Sequence, residues 1–480
     1  MTELESLARS TLLPSFAGDA PPDWLLREVD AGLAGVTLFA INGNMPDSAG
    51  LAALTGALRR AGDPLIATDE EGGDVTRLAH LTGSPYPGNA ALGAVDDPDL
   101  TAGVYRSLGA ELAQAGVNLD FAPTVDVNTV PDNPIIGTRA FGGDPALVAR
   151  HTTAAVRGLQ DAGIAACAKH FPGHGATAVD SHHEAPVVDA DRELLARREL
   201  VPFDAAIAAG CRAVMLGHLI VPAVTGTTPA TLSPGAVALL RDELGFTGVI
   251  VTDALDMRGA SGRIGIPEAS VRALIAGADL LCLGPRERRD SLASVIVAIR
   301  QAVEAGRLSV DRLAESAERV RELKAWLTRP ASSAADPGIG IEAARRAVLT
   351  TGEPRLTAPP LVIEANAPAN IAVGPVPWGF GRWLPADDVL RVDPDDADAH
   401  ALATAANGRP VVLVLRDAHR HLAQRALATA LRSARPDTIV VELGLPIWRP
   451  PDGQYVAAYG ATLANTTAVA ELLGLTARLS

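Results

Sequence analysis

Seven short apolar runs, each followed by a longer stretch with helical spacing, fill most of the first 330 residues. They are GVTLFA (Gly35–Ala40), PLIATD (Pro64–Asp69), VNLDFAP (Val117–Pro123), IAACAKH (Ile164–His170), AVMLGH (Ala213–His218), GVIVTD (Gly248–Asp253) and ADLLCLG (Ala278–Gly284). A strand that is apolar on both sides needs cover on both faces, which a parallel sheet flanked by helices supplies. The intervening segments, such as Asp99–Ala115 and Pro145–Ala162, carry helix formers at helical spacing. Repeated βα units of this kind make either a barrel or a doubly wound sheet.

The polar residues favour the barrel. Asn42, Asp69, Asp126, Lys169 with His170, His218 and Asp253 all sit where an apolar run ends. Several strands that each deliver a functional group at the C-terminal end make a barrel mouth, whereas a doubly wound sheet gathers such groups at one switch point. The expected fold is thus α/β, a (β/α)8 TIM-type barrel over residues 1–328 whose eighth strand has no clear run of its own. Arg329–Gly340 (RPASSAADPGIG) reads as the start of a linker over 329–345. Residues 346–480 read as a smaller, open α/β domain, with strands at Val411–Leu415, Thr438–Leu443 and Tyr455–Tyr459 and a helix over His421–Ser433. GxGxxG and GxxxxGK[ST] are absent, so nothing supports a bound nucleotide.

Composition narrows the function classes. Lys and Arg total 41 against 56 Asp and Glu, a net charge of −15, which disfavours nucleic acid and anionic membranes as partners. Aromatic residues are only 4%, so the core must be built from Ala, Val and Leu. Cys167, Cys211 and Cys282 are odd in number and far apart, which fits a reducing compartment better than a disulfide scaffold or a CxxC metal site. Glu3 and Glu5 stand where a signal peptide would be basic, and no apolar stretch reaches the roughly 18 residues of a spanning helix. The expectation is a cytoplasmic protein with no membrane partner.

The densest chemistry lies in KHFPGHGATAVDSHHEAP (Lys169–Pro186), which holds four of the ten His. It follows a strand and is rich in Gly and Pro, so a long irregular loop is expected there. His170 and His174 are four apart, but Pro172 and Gly173 spoil the helix that would align them on a metal, and no metal site is expected. In Asp180-Ser181-His182 a carboxylate can bond one ring nitrogen and leave the other to move a proton. Asp253 ends a strand, either aimed into the mouth or capping the next helix; Asp256 reads as a helix-start or surface acid. ATDEEGGDVTRL (Ala67–Leu78) contributes Asp69 and Arg77, and NPIIGTRAF (Asn133–Phe141) contributes Arg139. Mixed acids, arginines, lysine and histidine suit a sugar ring, whose hydroxyls need acceptors and donors alike.

Together, KHFPGHG…DSH, the Asp69–Leu78 stretch D-x-E-G-G-x-V-x-R-L, IIGTRAF and VTDALDM resemble glycoside hydrolase family 3, in particular its bacterial β-N-acetylglucosaminidase branch acting on cell-wall fragments. The similarity runs over about residues 10–325. It implies a catalytic barrel, a retaining mechanism, a small carbohydrate substrate containing GlcNAc, and neither metal nor cofactor. It places the nucleophile on Asp253, the acid/base on His182 with Asp180 orienting it, and sugar binding on Asp69, Arg77, Arg139, Lys169 and His170. Asp69-Glu70-Glu71 departs from the more usual Asp-Gln-Glu, Asp74 stands where Arg is common, and His183 is an extra imidazole. These departures bear on the aglycone. Phosphorolysis at the same Asp/His site, a non-catalytic sugar-binding barrel and a zinc hydrolase are the competing readings. Oligomeric state has no signature in the sequence.

Overall fold

The computed structural model describes residues 2–177, 185–262, 264–285, 289–328, 334–368 and 371–476. Two compact units divide the chain. The first comprises Met1–Glu71, Thr101–Pro134 and Gly143–Ala335; the second comprises Gly72–Leu100, Ile135–Gly142 and Asp336–Ser480.

The first unit is built on β1 (Leu12–Leu13), β2 (Gly35–Thr37), β3 (Leu65–Thr68), β4 (Leu119–Asp120), β5 (Ala165–Phe171), β6 (Ala213–Leu216), β7 (Val249–Thr252) and β8 (Leu281–Cys282). Strands β2 to β7 form one parallel sheet in sequence order, and β1 pairs parallel with β8. Backbone bonds complete the ring: Thr252 N–H to Leu280 C=O at 3.0 Å joins β7 to the β8 end, and Thr37 N–H to Pro14 C=O at 2.9 Å joins β2 to the β1 end. The fold is the (β/α)8 barrel expected. Its missing eighth strand comes first in the chain, as two buried leucines inside TLLPSF, too short to leave a periodic pattern.

Side chains two apart on a strand point to the same side. Leu65 and Ala67, Ala165 and Cys167, Ala213 and Met215, Val249 and Val251, and Leu280 and Cys282 accordingly fill the interior. Helix Val310–Trp326 adds Val320 and Leu323 to this core, and the Arg212 guanidinium, just before β6, stacks 4.8 Å over the Trp326 ring. That contact places the helix at the N-terminal end of the strands. Buried Asp279 gathers Arg241, Arg312 and Arg319 there, at 2.5, 2.5 and 3.1 Å. The surrounding helices start on sequence signals: Asp144 accepts from the N–H groups of Ala146 and Leu147 ahead of Pro145–Asp161, with Pro145 in the first turn.

The second unit holds a six-stranded sheet. Its strands are β9 (Leu349–Thr351), β10 (Leu361–Ala365), β11 (Val389–Val392), β12 (Val411–Leu415), β13 (Ile439–Glu442) and β14 (Tyr455–Ala457), in the order β11-β10-β12-β13-β14-β9. All pairs are parallel except β14 with the edge strand β9. The three C-terminal strands read from sequence are β12, β13 and β14; β9 and β11 were hidden by their part-polar, half-exposed sequences. From within the stretch expected as linker to two residues beyond it, a helix runs Pro337–Ala347, started by the Asp336 side chain and Pro337. It packs against helix Asn89–Val95, and residues Gly72–Leu100 fold with this unit. Among the described residues no helix is long and apolar enough to cross a membrane.

Candidate active site

Parallel strands place their C-terminal ends on one rim, the end from which β3, β5 and β7 present the expected residues. Asp69 follows β3 directly. Its Oδ1 lies 2.6 Å from Lys169 Nζ, while Glu71 Oε1 lies 2.7 Å from the same ammonium. Lys169 is 1% exposed, so this is a buried cation shared by two carboxylates. Such a charge persists in the interior because its partners replace the lost water. Asp120, which ends β4, is fully buried beside them and accepts the Glu70 N–H at 2.9 Å on Oδ1. Burial, then the charges of Glu70 and Asp69, push its carboxyl well above the usual range, against the pull of the Glu70 N–H and of Lys169.

His170 follows Lys169 within β5. Its Nδ1 lies 2.7 Å from Oδ2 of buried Asp126, whose Oδ1 accepts the N–H groups of His170 at 3.2 Å and His174 at 2.7 Å. Burial works against the Asp126 charge, but the His170 ring, the His174 ring and the His174 N–H outweigh it and hold the carboxyl below its ordinary value. An ionised carboxylate can only accept, so Nδ1 carries the proton and the ring has one tautomer, with Nε2 as acceptor in the neutral form. The turn beyond is fixed in the same way. Thr177 donates its hydroxyl to His174 C=O at 2.9 Å and meets His174 Nδ1 at 2.7 Å. Gly175 passes so close to the 126–128 segment that a Cβ there would fall 1.9 Å from Val127 O.

Asp253 follows β7, with its N–H bonded to Leu216 C=O at 3.0 Å. Its Oδ1 accepts the Ala254 N–H at 2.7 Å. The next helix is Arg258–Ser261, preceded by Met257, so Asp253 does not cap it and the capping alternative falls away. The buried Cys282 thiol is pushed up by burial, with the charges of Asp69 and Asp253 adding to the shift and the Thr37 hydroxyl opposing it. His218, after β6, lies 2.9 Å by Nε2 from Ala254 C=O and 2.8 Å by Nδ1 from the Thr231 hydroxyl, which braces the segment beside Asp253.

Arg77 and Arg139 belong to the second unit, where Arg77 donates to Ala372 C=O at 2.9 Å and Arg139 to Ile135 C=O at 3.1 Å. Their two segments are joined by Asp74, which accepts from the Thr138 hydroxyl at 3.1 Å, Arg416 at 3.2 Å and the Ala461 N–H at 2.9 Å. The Arg-to-Asp departure seen in the sequence thus supplies an anion for Arg416. Asp180 and His182 lie outside the described residues. Sequence reasoning did not nominate Glu71, Asp120 or Asp126 as site residues. Asp126 left a signal, an acid at the end of an apolar run; Glu71 and Asp120 left none beyond their types.

Residues 28–323 match the family described as Glycosyl hydrolase family 3 N terminal domain. The chain is 36% identical over 344 residues to beta-hexosaminidase A of Pseudoalteromonas piscicida, covering 66% of this chain and 57% of that protein. It is 38% identical over 273 residues to beta-hexosaminidase LpqI of Mycobacterium tuberculosis, covering 55% and 69%. The chain thus spans less than two thirds of the first of these relatives. Among solved structures it is similar to a glycoside hydrolase family 3 beta-N-acetylglucosaminidase from Paenibacillus sp., with a TM-score of 0.86, 33% identity, and coverage of all of this chain and 97% of that one.

Proposed function

The chain belongs to glycosyl hydrolase family 3, and from that premise we propose that it is a retaining exo-β-N-acetylglucosaminidase that removes terminal β-linked GlcNAc from cell-wall fragments or chitooligosaccharides. The observation that carries this reading is a barrel rim on which Asp253 follows β7 and Asp69 follows β3, with Asp69 paired to Lys169 beside a tautomer-fixed His170. A site of this kind offers a carboxylate nucleophile, and donors and acceptors for sugar hydroxyls.

The reaction takes two steps. Asp253 attacks the anomeric carbon while protonated His182 gives its proton to the departing glycosidic oxygen, and a glycosyl ester on Asp253 forms through an oxocarbenium-like transition state. Neutral His182 then removes a proton from water, which attacks the anomeric carbon, frees the Asp253 carboxylate and releases the sugar with retained configuration. Asp180 orients His182. Asp69, Lys169 and His170 hold hydroxyl and acetamide groups, turning binding energy into orientation. Cys167, Cys211 and Cys282, all free and buried, suit a reducing compartment, which would make intracellular wall fragments the substrate.

The test is incubation with p-nitrophenyl β-GlcNAc and with GlcNAc–anhydro-MurNAc, followed by trapping with a slow fluorinated glycoside and peptide mapping. A label on Asp253 and a β-configured product support the reading. A label elsewhere, or an inverted product, overturns it. A parallel incubation with phosphate, assayed for GlcNAc-1-phosphate, separates hydrolysis from phosphorolysis.

A further inference from the structure

Glu199 lies between helices Arg192–Arg197 and Val201–Ala208, with its side chain buried at 1% residue exposure. Oε1 is taken by Arg198, at 2.6 Å from Nε and 2.5 Å from Nη2. Oε2 is buried and has no hydrogen-bond partner among the described residues. It faces Gly173: a Cβ there would lie 2.8 Å from Glu199 Cβ and 3.2 Å from Oε2. Gly173 sits at φ +128 in the turn from His170 to His174, closed by its N–H to His170 C=O at 2.7 Å. Asp126 holds the His170 and His174 N–H groups of this same turn. One buried carboxylate therefore holds this five-residue turn by hydrogen bonds, and a second lies against it with an oxygen to spare.

We propose that Glu199 is a positioning residue: its side chain is the floor on which the His170–His174 turn rests, and its charge state sets how firmly the His170 ring is held against the sugar. The inference rests on the sugar-binding role proposed for His170 above. Among the described residues, the groups facing Glu199 are Arg198 on its own segment, and Asp126 and the His170–His174 turn on the barrel side. Burial pushes the Glu199 carboxyl up to about 7, the Asp126 charge adds to this, and Arg198 opposes it. Below that pH the floor is neutral. Above it, a second negative charge lies beneath the turn and opposes Asp126 across it, which loosens the grip on the ring.

Full-length wild type, Glu199→Gln and Glu199→Ala are compared for KM and kcat on p-nitrophenyl β-GlcNAc from pH 5.5 to 8.5, and for amide exchange in the peptide covering 165–177. Glutamine mimics the neutral acid. Wild-type KM should rise roughly fivefold to tenfold more than that of Glu199→Gln across pH 7, with kcat affected less; that factor corresponds to one charged hydrogen bond weakened. Glu199→Ala should raise KM about tenfold at every pH and speed exchange in 165–177. A Glu199→Gln curve that tracks wild type, or a Glu199→Ala enzyme with unchanged KM and exchange, overturns the inference. If wild type hydrolyses no β-GlcNAc, the functional reading fails instead. Exchange alone then decides: the floor is supported if 165–177 loosens through pH 7 in wild type but not in Glu199→Gln, once intrinsic rates are corrected, and is overturned if the two coincide.

Discussion

Asp126 Oδ2 meets His170 Nδ1 at 2.7 Å, although the two residues are 44 positions apart, one in the segment after β4 and the other in β5. The pair fixes one ring in one tautomer. Asp126→Ala should raise KM for β-GlcNAc substrates about 10- to 100-fold with a smaller effect on kcat, the cost of losing a charge-assisted bond that orients a binding group. Steady-state kinetics at pH 7 decides it; an unchanged KM would show that the ring plays no part in binding. The folded Asp126 carboxyl titrates below its ordinary value. Its contribution to stability is therefore present above about pH 4 and is lost as the pH falls below it.

Lys169 is the cation between Asp69 and Glu71. Lys169→Met keeps the volume and removes the charge, leaving two acids facing each other without it. The expected loss is about 3–5 kcal/mol of barrel stability, seen in urea unfolding, together with loss of GlcNAc binding in calorimetry. A variant as stable as wild type would mean that the cluster is already neutralised by protonation.

Asp253→Ala should lower kcat by about 10⁴-fold while GlcNAc still binds, because the proposed nucleophile contributes chiefly after binding. Turnover comes from p-nitrophenol release and binding from calorimetry. Substantial residual kcat would move the nucleophile to another residue.

Glu442 tests the second unit by pH. Its buried carboxyl accepts N–H groups from Asp417, Ala418 and Gly444, at 2.8, 3.1 and 2.6 Å. Burial, then the Asp417 charge, push it up to about 8 despite those donors. The folded value exceeds the unfolded one, so this contribution to stability is full below about pH 4.5 and is lost as the pH rises towards 8, a few kcal/mol in all. Urea midpoints of wild type should fall relative to Glu442→Gln across that window. Parallel curves would refute the assignment.

The barrel was legible because its strands are apolar on both faces and end in acids and bases, a pattern that survives in sequence as runs such as GVIVTD. Leu12–Leu13 was not legible, because two residues carry no periodicity and only their partners in β8 make them a strand. In the second unit the central strands β12 and β13 were visible for their unbroken Val, Leu and Ile, whereas the edge strand β9 has sequence LTT, half solvated and polar. Asp69, Lys169 and His170 were nominated by motif, but their counter-ions Glu71 and Asp126 became apparent only in three dimensions. A carboxylate buried against a base looks, in sequence, like any surface acid.

The ring of strands is sealed by its earliest and latest pieces, since β1 bonds to β8 across some 270 residues. During synthesis the open edges of β2 and β7 must wait, unsheltered, until residue 283 has cleared the ribosome. An amino-terminal deletion of only fifteen residues would leave that seam permanently unzipped in the finished protein. Such a truncation should cling to chaperones and aggregate, even though every side chain assigned to chemistry is still present.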